Sequence, residues 1–287
     1  MRKAIWRIIL CFIALNCLWA GFNPVKAAEY RYKIDFGKAR PIESLVIDRS
    51  LSIKINPGED WVKVYFDSFL DNQRGEHIPV NRLNMAINDR NFELDHSPFE
   101  IDSKALSLND KLFFTFSLNL TPADRPGNYQ GIIIIETSEK KITFQLGAEV
   151  QPWVRIETDQ SFIRMDQAAK EDLKLQSSIP LTIRVASNSK WVLAVNLARD
   201  SKVPLQLKMD QQLANLEIQR LFSAGGRLET EKKVLAAGNA TVVRSESYWT
   251  EIKTLIYIDD FIKYPAGEQS FQLRFLLELW DQKTVKL

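Results

Sequence analysis

Cysteine is absent from this 287-residue chain beyond position 17, and histidine occurs only at positions 77 and 96. No apolar run after residue 20 approaches the roughly 20 residues that a membrane-spanning helix needs. Each absence excludes something. Without cysteine past Cys17 there is no disulfide framework, so stability must come from core burial. The roughly 260 residues that follow the N-terminal segment are enough chain for that, as one large domain or two ordinary ones. A structural zinc site needs three or four cysteine, histidine or carboxylate ligands at workable spacing, and His77 and His96 stand apart in turn-like acidic contexts. No Gly-x-Ser-x-Gly elbow surrounds a serine, and no Gly-x-Gly-x-x-Gly or Walker sequence is present to cradle phosphate.

The N-terminus carries an export signature. Arg2, Lys3 and Arg7 precede a run from Ile8 to Ala20 that is apolar except for Asn16, and Val25-Lys26-Ala27 supplies small residues for cleavage near Ala27 or Ala28. Cys11 and Cys17 both lie inside this segment, without the small residues that a lipoprotein signal places before its cysteine. Residues 1–28 are therefore assigned as a signal peptide, and the mature chain has no expected membrane span. Removing that segment takes away four basic residues and no acidic ones, which converts the formal charge from +2 to −2. A nucleic-acid binder needs a clustered basic surface, whereas Lys and Arg here are interspersed with Asp and Glu. The lack of disulfides in an exported chain also fits a bacterial source.

The chain matches itself. Leu51-Ser-Ile-Lys-Ile-Asn-Pro-Gly-Glu-Asp-Trp61-Val62 aligns without a gap to Leu181-Thr-Ile-Arg-Val-Ala-Ser-Asn-Ser-Lys-Trp191-Val192. Ile78-Pro79-Val80, with Leu83 and Met85, is echoed by Val203-Pro204-Leu205, with Leu207 and Met209. Arg125-Pro126-Gly127-Asn128-Tyr129 and Tyr264-Pro265-Ala266-Gly267 each precede an apolar strand. The offset of about 130 residues is the size of a sandwich domain and too long for a solenoid repeat. Period-2 alternation runs through Ile34 and Phe36, Leu51 to Ile55 and Val62 to Phe66, while Leu112 to Leu120 and Ile132 to Ile135 are runs rich in β-branched or aromatic residues that end at turn residues. In the second unit the alternation recurs at Ile183 and Val185 and through Ile252 to Ile258. Phe271, Leu273, Phe275, Leu277 and Leu279 place five apolar side chains on one sheet face. Turns at Asn56-Pro57-Gly58, Arg74-Gly75, Pro126-Gly127 and Pro265-Ala266-Gly267 separate these runs. The expectation is an all-β protein of two tandem antiparallel immunoglobulin-like sandwiches, over 29–150 and 151–287, joined at Gln151-Pro152. An insertion at about 210–240 carries a short helical pattern at Leu213, Leu216 and Arg220.

Candidate chemistry is sparse. Asp89, Glu93 and Asp95 form the densest carboxylate group, without the Asp-x-Asp-x-Asp-Gly spacing of a calcium loop, so a polar loop between strands explains them more simply. No catalytic, cofactor-binding or metal-binding residue is assigned. Trp61 and Trp191, at repeat-equivalent positions, are expected core anchors. Trp153, Trp249 and Trp280, with Tyr248 and Tyr257, are free to form a stacking platform for a sugar, and Trp249 and Trp280 are its leading candidates. Tyr30, Tyr32, Ile34 and Phe36 alternate strictly with Arg31, Lys33 and Asp35. Such a strand either pairs at home or adds to the sheet edge of a neighbouring molecule.

Two segments carry a resemblance. Asp124-Arg-Pro-Gly-Asn-Tyr-Gln-Gly-Ile-Ile-Ile134 and the stretch after Tyr264-Pro-Ala-Gly resemble the closing strand of spore-coat-U/pilin-like proteins. Ser187-Asn-Ser-Lys-Trp191-Val-Leu193-Ala-Val is similar to the first motif of Trp-x-Leu surface domains. Lys63 replaces the leucine of that motif in the first unit, and Phe275-Leu276-Leu277 stands where a second copy would fall. The resemblance implies a secreted surface β-domain and does not extend to peptidoglycan binding. The chain is thus expected to be an exported, non-enzymatic, structural, adhesive or pilus-associated protein of the cell surface or periplasm, with surface or pilus proteins, itself included, as partners. The rivals are a carbohydrate-binding protein, with polysaccharide as its partner, and a periplasmic assembly chaperone, which would carry basic residues in an interdomain cleft.

Overall fold

The computed structural model describes residues 28–54, 61–72, 74–94, 97–102, 111–137, 140–167, 175–199, 205–209, 225–227, 230–242, 249–258, 263 and 271–280. The export signal, the Asn56-Pro57-Gly58 turn, His96, Tyr248 and the helical pattern around Leu213 lie outside these residues. Among the described residues every element is a strand apart from one 3-10 turn, Val80–Arg82.

The first group of strands comprises β1 (Ala28–Ala39), β2 (Leu45–Lys54), β3 (Trp61–Asp71), β4 (His77–Ile78), β5 (Leu83–Ile87), β6 (Arg90–Glu93), β7 (Phe99–Asp102), β8 (Lys111–Leu120), β9 (Gly127–Thr137) and β10 (Lys140–Val150). One sheet has the order β1-β10-β9-β3-β4, with β7 also on β3, and the other is β2-β8-β5-β6. Alternation builds the core between them. In β8, Leu112, Phe114, Phe116, Leu118 and Leu120 are all at most 2% exposed, because every second side chain of a strand shares a face. Phe114 and Phe116 meet Phe144 of the opposite sheet at ring-centre distances of 5.6 and 5.2 Å. Burying each such side chain stabilises by about 1.5–3 kcal/mol. Asn88 and Asp89, at φ 47° and 64°, form the two-residue turn between β5 and β6. Asp89 of the carboxylate group is therefore a hairpin residue.

The turn before β9 is fixed by a polar cluster. The Tyr129 hydroxyl donates to the Arg125 carbonyl at 2.8 Å, the tyrosine corner of immunoglobulin-like sandwiches. Arg82 donates to both Asp124 carboxylate oxygens at 2.7 and 2.9 Å, and the Thr121 N–H donates to the same carboxylate at 2.7 Å.

One pairing departs from the antiparallel expectation: β1 runs parallel to β10, from Ala28 opposite Lys140 to Ala39 opposite Val150. Parallel neighbours need a long crossover, and here the whole first group of strands supplies it. The pairing shifts between Asp35 and Lys38, where Gly37 has φ 82° and its N–H bonds the Asp35 carboxylate at 2.8 Å. At that bulge the Arg49 side chain of β2 donates to the Asp35 and Phe36 carbonyls at 2.7 and 3.1 Å, closing the seam between the two sheets.

The second group comprises β11 (Val154–Thr158), β12 (Met165–Gln167), β13 (Leu175–Ser177), β14 (Leu181–Ser187), β15 (Trp191–Leu197), β16 (Gln206–Met209), β17 (Gly225–Arg227), β18 (Lys233–Gly238), β19 (Thr250–Ile258) and β20 (Leu273–Leu279). One sheet has the order β11-β14-β19-β13-β12, with β16 joining β19 and β17, and the other is β18-β15-β20. Their shared core includes Ile183, Val185, Trp191, Leu193, Val195, Ala236 and Ile252. Trp191 is 1% exposed and lies opposite Gly238, where an added Cβ would sit 2.7 Å from the indole, so only glycine fits. The Trp61 side chain is outside the described residues. Of the five apolar residues expected on one face, Phe271, Leu273, Phe275 and Leu277 pack on this core, whereas Leu279 is 37% exposed at the strand end.

Candidate functional site

Two features are candidates for binding: the side of β20 that pairs with no strand among the described residues, and a groove where the two groups of strands meet.

The repeat makes the first visible. Trp61 opens β3 and Trp191 opens β15, and these strands pair with β9 and β20 respectively. β9 is flanked on its other side by β10, and Tyr129, Ile133 and Ile135 are at most 2% exposed. β20 pairs only with β15 among the described residues, and Leu273, Phe275 and Leu277 remain half-buried. A sheet edge of this kind presents unpaired backbone groups above an apolar face that a further strand would finish covering.

The groove lies beside the joint after β10. One wall comes from the β1–β2 connection and the loop before β9, through Ile42, Glu43, Ser44 and Pro122. The other comes from Trp153, Arg155, Ala186 and Trp249, and the open groove has a volume of about 310 Å³. Its floor is a small apolar cluster in which Trp153, Ala186 and Val242 are buried and Ala123 and Trp249 pack against them. Arg155, exposed on β11, places its guanidinium carbon 5.5 Å from the centre of the Trp249 ring, within cation–π range, and bonds Glu157 at 2.8 Å. Trp153 is 3% exposed, yet its indole N–H has no acceptor among the described residues.

Asn188, fully buried, ties the joint together. Its Oδ1 accepts the Trp153 N–H at 2.9 Å, and its Nδ2 donates to the Asp124 and Gln151 carbonyls at 2.9 and 3.3 Å. The Gln151 N–H in turn bonds the Ala39 carbonyl at 2.7 Å. Asn188 sits on the short turn before Trp191, and an asparagine there reads in sequence as an ordinary turn residue.

The candidates named from sequence separate. Trp249 lines the groove, while Trp280 follows β20, bonds the Lys190 carbonyl through its backbone N–H at 2.9 Å and does not line the groove. Tyr30, Tyr32, Ile34 and Phe36 all lie in β1, paired to β10 of their own chain. Tyr30 is 43% exposed, Tyr32 meets Phe144 with tilted rings at 5.8 Å, and Ile34 and Phe36 are core residues at 5% and 2%. Arg155 went unnoticed in sequence because a charged residue in an alternating strand looks like ordinary solvated surface. Among the described residues no three His, Cys, Asp or Glu side chains gather as metal ligands, and no helix is long and apolar enough to cross a membrane.

No protein-family model and no curated protein matches the chain. Among solved structures it is similar to a chain of the CsuC–CsuE chaperone–tip adhesion subunit pre-assembly complex from archaic chaperone-usher Csu pili of Acinetobacter baumannii. That match has 13% identity over 88% of this chain and 99% of that one, with a TM-score of 0.39. It is also similar to the CupB6 tip adhesin of Pseudomonas aeruginosa, at 10% identity over 88% and 92% of the two chains and a TM-score of 0.31. A family 123 glycoside hydrolase from Clostridium perfringens matches 42% of this chain and 23% of its own, at 15% identity and a TM-score of 0.31. All three scores are below 0.5, so the functional reading rests on the chain's own geometry.

Proposed function

We propose that the chain is an exported, non-enzymatic, structural or adhesive protein of the cell surface, pilus-associated, that joins its partners by accepting a further strand along β20. The observation that carries this reading is the contrast between β9 and β20. Strands opened by repeat-equivalent tryptophans pair with both, but among the described residues β9 is flanked on both sides with its inner face buried, whereas β20 pairs with β15 alone. Strand addition would give the β20 edge its missing hydrogen bonds and cover Leu273, Phe275 and Leu277. The donor is a strand of another surface protein or the alternating Tyr30–Phe36 strand of a second copy.

Amide hydrogen exchange on the mature chain tests the reading, with light scattering to report its oligomeric state. In dilute monomer, alternate amides of residues 273–279 should exchange fast and become protected in assemblies. Uniform protection of that segment in the monomer would mean that the chain covers the edge itself, and the reading would fall. A periplasmic assembly chaperone is the second reading, favoured by the exposed Arg155 guanidinium in the groove between the two groups of strands.

A further inference from the structure

We propose that the groove at the joint binds an acidic sugar, a hexuronate unit or a saccharide that contains one. This site is separate from the β20 edge and does not depend on strand addition. Its volume of about 310 Å³ falls in the range of small-molecule sites. The wall residues supply four complementary chemistries. Trp249, half-buried in the wall, offers indole surface against which the C–H face of a pyranose can pack. Arg155 offers a cation whose ion pair with Glu157 occupies one end of a five-donor fork, leaving further N–H groups for a carboxylate. Glu43 and Ser44, both exposed, can accept from and donate to hydroxyls.

The fourth is independent of the others. Trp153 is a lining residue of the groove, and its buried indole N–H has no acceptor among the described residues. A buried donor without a partner is uncommon in folded proteins; among the described residues the Trp191 indole N–H is another, and it belongs to no residue of the groove. One hexuronate satisfies the whole set, since it combines an apolar ring face, a single carboxylate and several hydroxyls. A neutral sugar leaves Arg155 unused, and a simple aliphatic acid leaves Glu43 and Ser44 unused.

The test is a titration of the mature chain followed by tryptophan fluorescence and by the indole N–H resonances of Trp153 and Trp249. The probes are galacturonate, trigalacturonate, glucose, acetate and a pentapeptide with a free C-terminal carboxylate. Saturable shifts with the uronates alone are expected. Binding should weaken about tenfold or more in Arg155→Gln, as for loss of a charged hydrogen bond. Trp249→Ala should abolish it, and should its packing fail, the exposed Arg155→Gln substitution still decides the matter. Tighter binding of the trimer would point to a polysaccharide source, and equal binding to a free sugar. Saturation by glucose, by acetate or by the peptide to the same degree would overturn the proposal, and the peptide result would return the groove to the chaperone reading. Unshifted indole resonances with the uronates at tens of millimolar, or an Arg155→Gln variant that binds as well as the parent, would also overturn it.

Discussion

Replacing Asn188 by leucine should destabilise the protein far more than a turn asparagine ordinarily would. The side chain is fully buried, and leucine keeps its branching at Cγ while removing every hydrogen-bonding atom. Leucine leaves three backbone groups without their partner: the Trp153 N–H and the carbonyls of Asp124 and Gln151. Trp153 and Asp124 are 3% and 5% exposed, so water does not reach them, whereas Gln151 is half-buried and can be rehydrated. At about 1–3 kcal/mol for each buried group left unsatisfied, the two enclosed groups alone imply a loss of about 2–6 kcal/mol. Urea denaturation followed by tryptophan fluorescence gives the loss from the midpoint and slope. Small-angle scattering of the folded variant gives the accompanying change in the relation of the two groups of strands, since Asn188 bonds both sides of the joint. A loss below about 1 kcal/mol, the scale of a single exposed hydrogen bond, together with unchanged scattering would refute the claim that this residue holds the joint.

Three further outcomes follow from the packing. Gly238→Ala places a Cβ 2.7 Å from the ring of Trp191, whose strand is held between β18 and β20, and should cost about 1–3 kcal/mol of overpacking. A thermal midpoint equal to that of the parent would contradict it. Arg82→Met leaves the Asp124 side chain, 4% exposed, as an uncompensated buried charge and should cost about 3–5 kcal/mol. The double variant Arg82→Met/Asp124→Leu should recover much of that loss in denaturant titrations, and no recovery would show that the pair is not the cause. Burial first, then the charges of Asp124 and Glu76, push the Tyr129 hydroxyl from its ordinary 10.0 up to about 12. Because the folded value is the higher one, its contribution is complete below pH 10 and is lost as pH rises towards 12. Stability measured across that interval should fall more steeply in the parent than in Tyr129→Phe.

What was legible in the sequence was whatever obeys a local period. The alternation of β8 is visible in single residues, and the Leu51–Trp61 and Leu181–Trp191 match identifies two places where the chain passes from one sheet to the facing one. It does so from β2 to β3 and again from β14 to β15. What escaped notice depends on pairs distant in sequence. Arg82 meets Asp124 across 42 residues, Asn188 reaches back 64 residues to the Asp124 carbonyl, and Arg155 finds Trp249 only because β11 and the start of β19 lie on one sheet. Trp249 and Trp280 illustrate the same limit from the other side. Composition nominates both for a ligand platform, and only the topology separates the residue in the groove from the one after β20.

Whether β1 acts as a donor strand is governed by what its departure would leave behind. Its pairing with β10 runs the length of the strand, and Ile34 and Phe36 are 5% and 2% exposed in the first core. Exposing those two side chains alone costs about 3–6 kcal/mol, before the hydrogen bonds from Arg49 are counted. A β1 strand laid along β20 of another copy would recover less, because Leu273, Phe275 and Leu277 are already half-buried and only the remainder can be gained. One-way transfer among identical copies therefore closes one edge by opening a more deeply buried one, that of β10. A donor strand from a different protein carries no such cost. Deleting residues 29–37 should accordingly unfold the first sandwich, lowering the unfolding midpoint in denaturant, and should not merely dissolve an oligomer into folded monomers. If the truncated chain instead remains folded at the parent's midpoint and loses only its self-association, β1 is the exchanging strand and the order of energies argued here is wrong.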